Sequence, residues 1–214
     1  MNLSYVFFYI GGFMKKKYWI ILLIILIICI GGFFFKNKVK NLKVGNNKTS
    51  QEIIEYILNI SSYESQITVD VNSNKNHNKY ILKQSYNGNK NIQEVIEPTN
   101  IAGIKIECEE NNTKIENSNL SLSKIIENYD FLGDNCLDLS SFIEDYKTSS
   151  KSKYEENESE IIMRTSSQIE NIYIQEKKLF IDKQTYNPTK MEIKDNNQNT
   201  TIYILYNEVK LNSL

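Results

Sequence analysis

Alternating apolar and polar residues restrict the fold of this chain more than any other feature of its sequence. In the segment QITVDVNS, Ile67, Val69 and Val71 alternate with polar residues, and this period of two places the three side chains on one face of a β-strand. Further strands are predicted in the segments KYILKQSYNGNKNIQEVIEP, IAGIKIECEE, TKIEN, SEIIMRTS, KKLFIDKQT, TKMEIKD and TTIYILYNEV. The pattern predicts antiparallel strands that share one apolar face.

Turn residues separate these predicted strands. Asn87-Gly88 is the preferred residue pair for a tight hairpin turn. Pro98 ends the strand before it, because proline has no backbone N–H to donate to a sheet ladder. The segments QTYNPT and DNNQNT separate the last three strands as turns. We therefore expect hairpin connections along much of the chain.

Three segments have helical spacing instead. Thr49 and Glu52 form a T-x-x-E capping box at the start of TSQEIIEYILNI, which is predicted to be an amphipathic helix that covers the sheet. The segments SLSKIIENYDFL and LDLSSFIEDYK have apolar residues three and four positions apart, which predicts two more helices. No Gly/Ser linker interrupts residues 49–214, so we predict one α+β domain.

The amino-terminal region contains an uncharged apolar run. As a helix, residues 18–35 would extend about 27 Å, near the thickness of a bilayer's hydrocarbon core. We predict a cytoplasmic segment 1–17, a transmembrane helix or uncleaved signal peptide 18–35, a tether 36–48 and an extracytoplasmic domain. Lysines on both sides of the run do not fix its orientation by charge alone. Met14 is a second candidate start, because the anchor does not need the sequence before it.

Cys29 lies near the end of the apolar run and has two interpretations. It is either a lipid attachment site or an ordinary residue of the membrane helix. A lipoprotein signal has a small residue directly before the cysteine, whereas this chain has Ile28. We favour the helix residue, and the segment anchors the chain in either case.

Few residues of this chain are suited to catalysis. His77 is the only histidine, so neither a Ser-His or Cys-His centre nor a histidine zinc site can be assembled. The acidic residues Glu109 and Glu110 and the cluster at 155–160 lie among asparagine and lysine, as is typical of solvated surfaces. With a formal net charge of −1 and Arg164 as the only arginine, nucleic acid is not an expected partner. We expect no enzymatic activity, cofactor or metal; the alternative is a wall hydrolase with two facing carboxylates.

Cys108 and Cys136 are the only cysteines outside the apolar run. They either form a disulfide, which an exported domain would permit, or remain two separate buried thiols. A bond between them would stabilise the fold by about 3 kcal/mol through the entropy of the closed loop. We favour the separate thiols.

The last strands resemble those of the LolA/LolB lipoprotein-carrier superfamily. In KKLFIDKQTYNPTKMEIKDNNQNTTIYILYNEVKLN, a strand ending in aspartate is followed by a proline-containing turn, a strand, a polar turn and a last strand. Pro188, Asp195 and Asn207 stand where that pattern has them. The first predicted helix and SSYESQITVDVNS resemble the family's opening. Within the superfamily, the chain is most similar to the germination lipoprotein GerS and its relatives.

This resemblance implies both a fold and a function. The implied fold is a LolA-like half-open antiparallel β-barrel covered by helices. The implied function is to bind and regulate a CwlD-like cell-wall amidase that modifies the spore cortex for germination, without chemistry of its own. The alternative is a lipid or lipoprotein carrier that uses the concave apolar face, and a homodimer is also left open. Candidates for that face, for which we favour a packed core over a ligand cavity, are Ile67, Val69, Val71, Leu82, Ile202 and Ile204.

Overall fold

The computed structural model describes residues 48–73, 76–109, 112–117, 119–127 and 136–213, which all belong to a compact unit spanning Lys48–Leu214. The predicted membrane segment, Met14, Cys29 and the tether up to residue 47 lie outside the described residues. Within the described ranges, no helix is both long enough and apolar enough to cross a membrane.

The described residues form one eleven-stranded antiparallel sheet and two helices. In chain order the elements are α1 (Ser50–Leu58), β1 (Ile60–Asn72), β2 (His77–Tyr86), β3 (Lys90–Glu97), β4 (Ile104–Glu109), β5 (Asn112–Asn117), β6 (Leu122–Glu127), α2 (Leu139–Thr148), β7 (Lys153–Glu156), β8 (Glu160–Asn171), β9 (Ile174–Asp182), β10 (Pro188–Lys194) and β11 (Thr200–Ser213). The expected antiparallel sheet with few helices is confirmed.

The order of strands in the sheet is β6-β5-β4-β3-β2-β1-β11-β10-β9-β8-β7. The chain therefore starts at the centre of the sheet and runs outward strand by strand to the edge at β6. It resumes at the opposite edge with β7 and returns strand by strand to β11, which pairs with β1. The first and last strands are central, whereas β6 and β7 are the edge strands and, among the described strands, each pairs on one side only.

Helix α1 begins where its capping box predicts. The backbone N–H of Thr49 donates to the Glu52 carboxylate (2.6 Å), and the N–H of Glu52 donates to Thr49 Oγ1 (3.3 Å). This reciprocal pair satisfies backbone donors that the first helical turn leaves free. Three isoleucines at helical spacing, Ile53, Ile54 and Ile57, point away from solvent and are buried.

Helix α2 begins at Asp138, whose side chain accepts from the backbone N–H of Ser140 (3.0 Å). Its apolar residues Leu139, Phe142 and Ile143 are buried, and they join the side chains of α1 in one cluster with the sheet. Both helices therefore cover the same face of the sheet. Removing a large aliphatic or aromatic side chain of this kind from water contributes about 1.5–3 kcal/mol.

One predicted helix is wrong. The segment SLSKIIENYDFL was expected to be helical, but its residues Leu122–Glu127 form strand β6. All six residues pair with Asn112–Asn117 of β5. The β-branched side chains of Ile125 and Ile126 suit this strand, and the ladder supplies hydrogen-bond partners that lie outside the segment.

Most other predicted elements are confirmed, including the helix in LDLSSFIEDYK and the four strands from residue 160 onward. The hairpin at Asn87-Gly88 is present, and Gly88 has a φ of 87°, a conformation that residues with a Cβ rarely adopt. Strand β3 ends at Glu97, directly before Pro98. Strand β7, a short edge of sequence KYEE, was not predicted.

Candidate functional site

The six residues predicted to form an apolar face lie on the helix-covered side of the sheet. The sheet register places Val69 opposite Ile204 and Val71 opposite Ile202. It also places Ile67 opposite Leu82. Four of the six side chains are buried, and those of Val71 and Ile202 are half-buried.

Helices α1 and α2 fill the space over this face. The isoleucines of α1 and the apolar residues of α2 belong to the same buried cluster as Ile67, Val69, Leu82 and Ile204. Phe142, a large side chain at the centre of α2, has no exposed surface. The middle of the apolar face is therefore occupied by side chains of the chain itself, and it forms part of the protein core.

A buried carboxylate fixes the start of α2 to the sheet. Asp138 has no exposed surface, and it accepts hydrogen bonds from the phenol of Tyr63 and from Gln93 Nε2 (3.4 Å). The neighbouring carbonyl of Leu137 accepts from Gln84 Nε2 (3.1 Å). Strands β1, β2 and β3 thus each donate to the residues at this end of the helix.

Two buried tyrosines lie near this carboxylate. Burial, and then the charge of Asp138, raise the pKa of Tyr63 well above its ordinary value. Burial, and then the charge of Asp138, also raise the pKa of Tyr206. Unlike Tyr63, Tyr206 has no hydrogen-bond partner for its Oη among the described residues. Both phenols therefore stay neutral at physiological pH.

A buried ion pair fixes the other half of α2. Lys177 Nζ of β9 lies 2.6 Å from the Asp145 carboxylate, and neither side chain has appreciable exposure. Lys177 also donates to Ser141 Oγ (3.0 Å). Asp145 accepts further hydrogen bonds from the backbone N–H of Gln168 (3.2 Å) and, at its carbonyl, from Thr165 Oγ1 (3.0 Å). Strands β8 and β9 thus hold the helix that covers the sheet.

Cys108 and Cys136 are both buried, and both are free thiols in the structure. Cys108 lies in β4, whereas Cys136 lies two residues before the N-cap of α2. Burial raises the pKa of the Cys136 thiol, so this side chain is held in its unreactive protonated form.

Two acids of the cluster at 155–160 form surface ion pairs, and Glu110 lies outside the described residues. Glu155 pairs with Arg164, and Glu156 pairs with Lys183 at 2.5 Å. His77 is exposed and lies 3.5 Å from Asp70. Within the described ranges, no group of three or more histidine, cysteine or acidic side chains is placed to hold a metal ion. The described acids of these clusters line none of the described cavities; the glutamates that line one of them are Glu64, Glu94 and Glu208.

The two edges of the sheet differ in their exposed side chains. At β6 and the turn before it, Leu120, Leu122 and Ile125 are 62–65% exposed. At β7 the sequence is KYEE, and its glutamates are paired with basic residues. Charged side chains discourage a further strand from pairing at an edge, whereas exposed aliphatic ones favour contact. The aliphatic edge at β6, defined by Leu120, Leu122 and Ile125, is therefore the better candidate for a protein contact.

The largest described cavity, of about 830 Å³, lies at one end of the sheet where three strand connections meet. These are the β1–β2, β8–β9 and β10–β11 turns. Val71, Ile174 and Ile202 provide its apolar part, and most other lining residues carry amide, hydroxyl or carboxylate groups. Sequence reasoning did not detect this cavity, because residues far apart in the chain form it.

The fold and these contacts define a class: a sheet covered by its own helices, with surfaces suited to binding and without an assembled catalytic centre among the described residues. The chain belongs to the family of sporulation protein YdcC-like proteins, whose model matches residues 15–213. The membership in a sporulation family that the resemblance implied is therefore confirmed.

Solved structures of similar proteins add to this comparison. A chain in the structure of the CwlD amidase from Clostridioides difficile in complex with the GerS lipoprotein is 22% identical, with 77% of this chain and 96% of that chain covered and a TM-score of 0.49. An uncharacterized conserved protein from Thermus thermophilus is 11% identical, with coverages of 78% and 90% and a TM-score of 0.50. A LolA superfamily protein from Nitrosomonas europaea is 13% identical, with coverages of 78% and 95% and a TM-score of 0.41. None of the curated proteins compared with the chain matches it.

Proposed function

We propose that this protein is a non-enzymatic, membrane-anchored protein of the spore envelope that binds and regulates a cortex-modifying cell-wall amidase. Its membership in a sporulation family supports this setting. Within the LolA/LolB superfamily that the closing strands resemble, the similarity of the chain to GerS and its relatives supports the partner. In the Clostridioides difficile structure, GerS is in complex with the CwlD amidase, and a CwlD-like enzyme is the partner we propose here. The apolar run 18–35 would hold the domain at the membrane.

We favour a regulator over a carrier because the apolar face of the sheet is filled by side chains of the protein itself. A carrier of lipid or lipoprotein needs an open apolar cavity for an acyl chain. Here α1 and α2 occupy that position, and α2 is fixed by Asp138 at its start and by the Lys177–Asp145 pair further along. Opening the face would break a buried ion pair, which is costly because each charge would lose its partner.

The aliphatic edge at β6 is the surface we propose for the amidase. Leu122 and Ile125 lie on the outermost strand of the sheet, and more than half of each side chain is exposed. An edge strand also has free backbone donors and acceptors that a partner's strand or loop can use. The opposite edge at β7 is short and charged, so it is less suited to an apolar contact.

The test is affinity capture of the tagged full-length protein from detergent-solubilised sporulating cells, followed by mass spectrometry of proteins and lipids. Three forms are compared: wild type, the double variant Leu122→Lys/Ile125→Lys and the control Leu205→Lys. Leu205 is also an exposed leucine, but it lies on the central strand β11. We expect near-stoichiometric amidase with wild type and control, and at least tenfold less with the double variant.

Two other results would contradict the proposal. Recovery of lipid or acylated protein without an amidase would make the protein a carrier. Equal recovery of amidase by the double variant and the control would retain the partner but exclude the β6 edge as its binding surface. Leu122 and Ile125 are 62–63% exposed and Leu205 is 41% exposed, so urea unfolding of each variant checks that the fold is retained.

A further inference from the structure

Strand β6 is exposed along its whole length. Five of its six residues are exposed, and only Ile126 is half-buried. The central strands differ from it, because one of their faces packs against α1 and α2. Since successive side chains of a strand point to opposite faces, the exposure of neighbouring residues means that both faces of β6 are open to contact.

The register of the sheet assigns each side chain of β6 to a face. Lys124 belongs to a row of opposed residues that continues, strand by strand, to Ser65 of β1. Ser65 stands two residues before Ile67, which packs in the cluster with the helices. Lys124, together with Leu122 and Ile126, therefore points to the helix-covered side of the sheet, and the other three residues of β6 point to the opposite side.

Each face of β6 combines one charge with aliphatic side chains. On the helix-covered side, the exposed ammonium group of Lys124 lies between Leu122 and Ile126. On the opposite side, Ile125 is 62% exposed and Glu127 follows it as the next residue of that face. A partner at this edge therefore meets a cation on one face of the strand and an anion on the other.

The pairing rules of antiparallel strands translate this pattern into the side chains of a partner. An added strand places one residue directly opposite each residue of β6, with the two Cβ atoms about 4.5–5.5 Å apart. Opposite charges in such a pair stabilise it, and like charges destabilise it. The best partner strand thus carries an acid opposite Lys124, a base opposite Glu127 and apolar residues opposite the aliphatic side chains.

We infer that the amidase adds an antiparallel strand to β6 and places an acidic residue opposite Lys124; this rests on the proposed function and specifies the segment of the partner that binds. Read from its amino end, the segment has the order base, apolar, apolar, acid, polar, apolar, opposite residues 127 to 122. Backbone hydrogen bonds of the added strand supply affinity, and the side-chain pairs select the segment and its register.

The experiment measures, by biolayer interferometry, the dissociation constant between the purified CwlD-like amidase of the same organism and the detergent-solubilised full-length protein. Four forms are compared: wild type, Lys124→Gln, Lys124→Glu and the control Lys153→Glu. Lys153 is also an exposed lysine of an edge strand, but it lies on β7. We expect binding to weaken about threefold in Lys124→Gln and about tenfold in Lys124→Glu, because the second variant adds repulsion to the lost attraction. The control should bind as wild type does.

Hydrogen exchange of the complex tests the added strand itself. Peptides that contain β6 should exchange about tenfold more slowly when the amidase is bound, because the new strand engages backbone amides at this edge. Peptides that contain β7 should keep their exchange rate. Urea unfolding of each variant checks that the substitutions at Lys124 and Lys153 leave the fold intact.

The possible failures of strand addition and of the amidase partnership give different results. If wild type binds the amidase but Lys124→Glu and Lys153→Glu bind it equally well, strand addition opposite Lys124 is overturned and the partnership stands. The same conclusion follows if the bound amidase leaves exchange in β6 unchanged. If wild type does not bind the amidase at all, the proposed function is overturned together with the strand addition.

Discussion

At the residue scale, two kinds of buried polar contact hold α2 against the sheet. The Lys177–Asp145 pair places opposite charges 2.6 Å apart without solvent. The contact at Asp138 places a carboxylate beside a neutral phenol and an amide. Substituting one partner of an ion pair leaves the other charge buried without a partner, which is strongly destabilising. Removing the hydroxyl of a phenol only deletes one hydrogen bond, which costs less. Single substitutions can therefore measure separately what the ion pair and the Asp138 hydrogen bonds contribute to the free energy of unfolding.

Replacing Asp145 with asparagine should destabilise the protein by about 3–5 kcal/mol, because it removes the charged partner of the buried Lys177 side chain. The measurement is urea unfolding followed by circular dichroism. The control is Glu64→Gln, since Glu64 forms an exposed ion pair with Lys210 and should change stability by less than about 1 kcal/mol. A loss below about 1 kcal/mol for Asp145→Asn would contradict a buried pair.

The two buried tyrosines should respond differently to loss of their hydroxyl groups. Tyr63→Phe removes a hydrogen bond to a charged carboxylate and should cost about 1.5–3 kcal/mol. Tyr206→Phe removes a hydroxyl that has no partner among the described residues, and it should be close to neutral. Urea unfolding of the matched pair gives the comparison. An equal or larger loss for Tyr206→Phe would show that the Asp138 contact is not the stronger one.

Stability should also fall in alkali. The folded-state pKa of Tyr63 and of Tyr206 lies above that of an exposed tyrosine. Above a pH of about 10 the unfolded chain therefore loses protons that the folded protein keeps, and the free energy of unfolding decreases as pH rises. Unfolding midpoints measured from pH 8 to 11 should decrease less in the double variant Tyr63→Phe/Tyr206→Phe than in wild type. Parallel pH profiles for the two proteins would contradict this.

At the element scale, the sequence predicts the central strands and both helices better than it predicts the edge strands β6 and β7. The alternation around Ile67 and the capping box at Thr49 are local signals, and both elements form as expected. The segment at Leu122–Glu127 has apolar residues whose spacing fits a helix as well as a strand. The segment forms a strand because it pairs with β5, and its own sequence does not show that β5 will be its neighbour.

Hydrogen exchange should follow the position of each strand in the sheet. Amides of β1 and β11, which have paired strands on both sides, should exchange at least tenfold more slowly than those of the edge strands β6 and β7. Mass spectrometry of peptic peptides, taken at several exchange times, measures this. If β6 were as protected as β1 in the isolated protein, its edge would be covered, and it would not be free to receive a partner.

At the scale of the whole molecule, the features that local sequence patterns do not predict depend on contacts between distant parts of the chain. The pairing of β1 with β11 joins the two ends of the domain and places Ile67, Val69 and Ile204 on one face, as their alternation suggested. Nothing local marks Lys177 as buried, because its neighbours in EKKLFID include a second lysine and a glutamate. The cavity at the sheet end likewise depends on three separate turns.

The measurement that tests the central claim most directly is reconstitution of amidase activity from purified components. The CwlD-like amidase of the same organism is incubated with cortex peptidoglycan, with and without the full-length protein in detergent, and released peptide is quantified. We predict that the protein alone releases none, and that it increases release by the amidase at least tenfold with saturation at a fixed ratio of the two proteins. Equal release with and without the protein would contradict the proposed role as an amidase regulator.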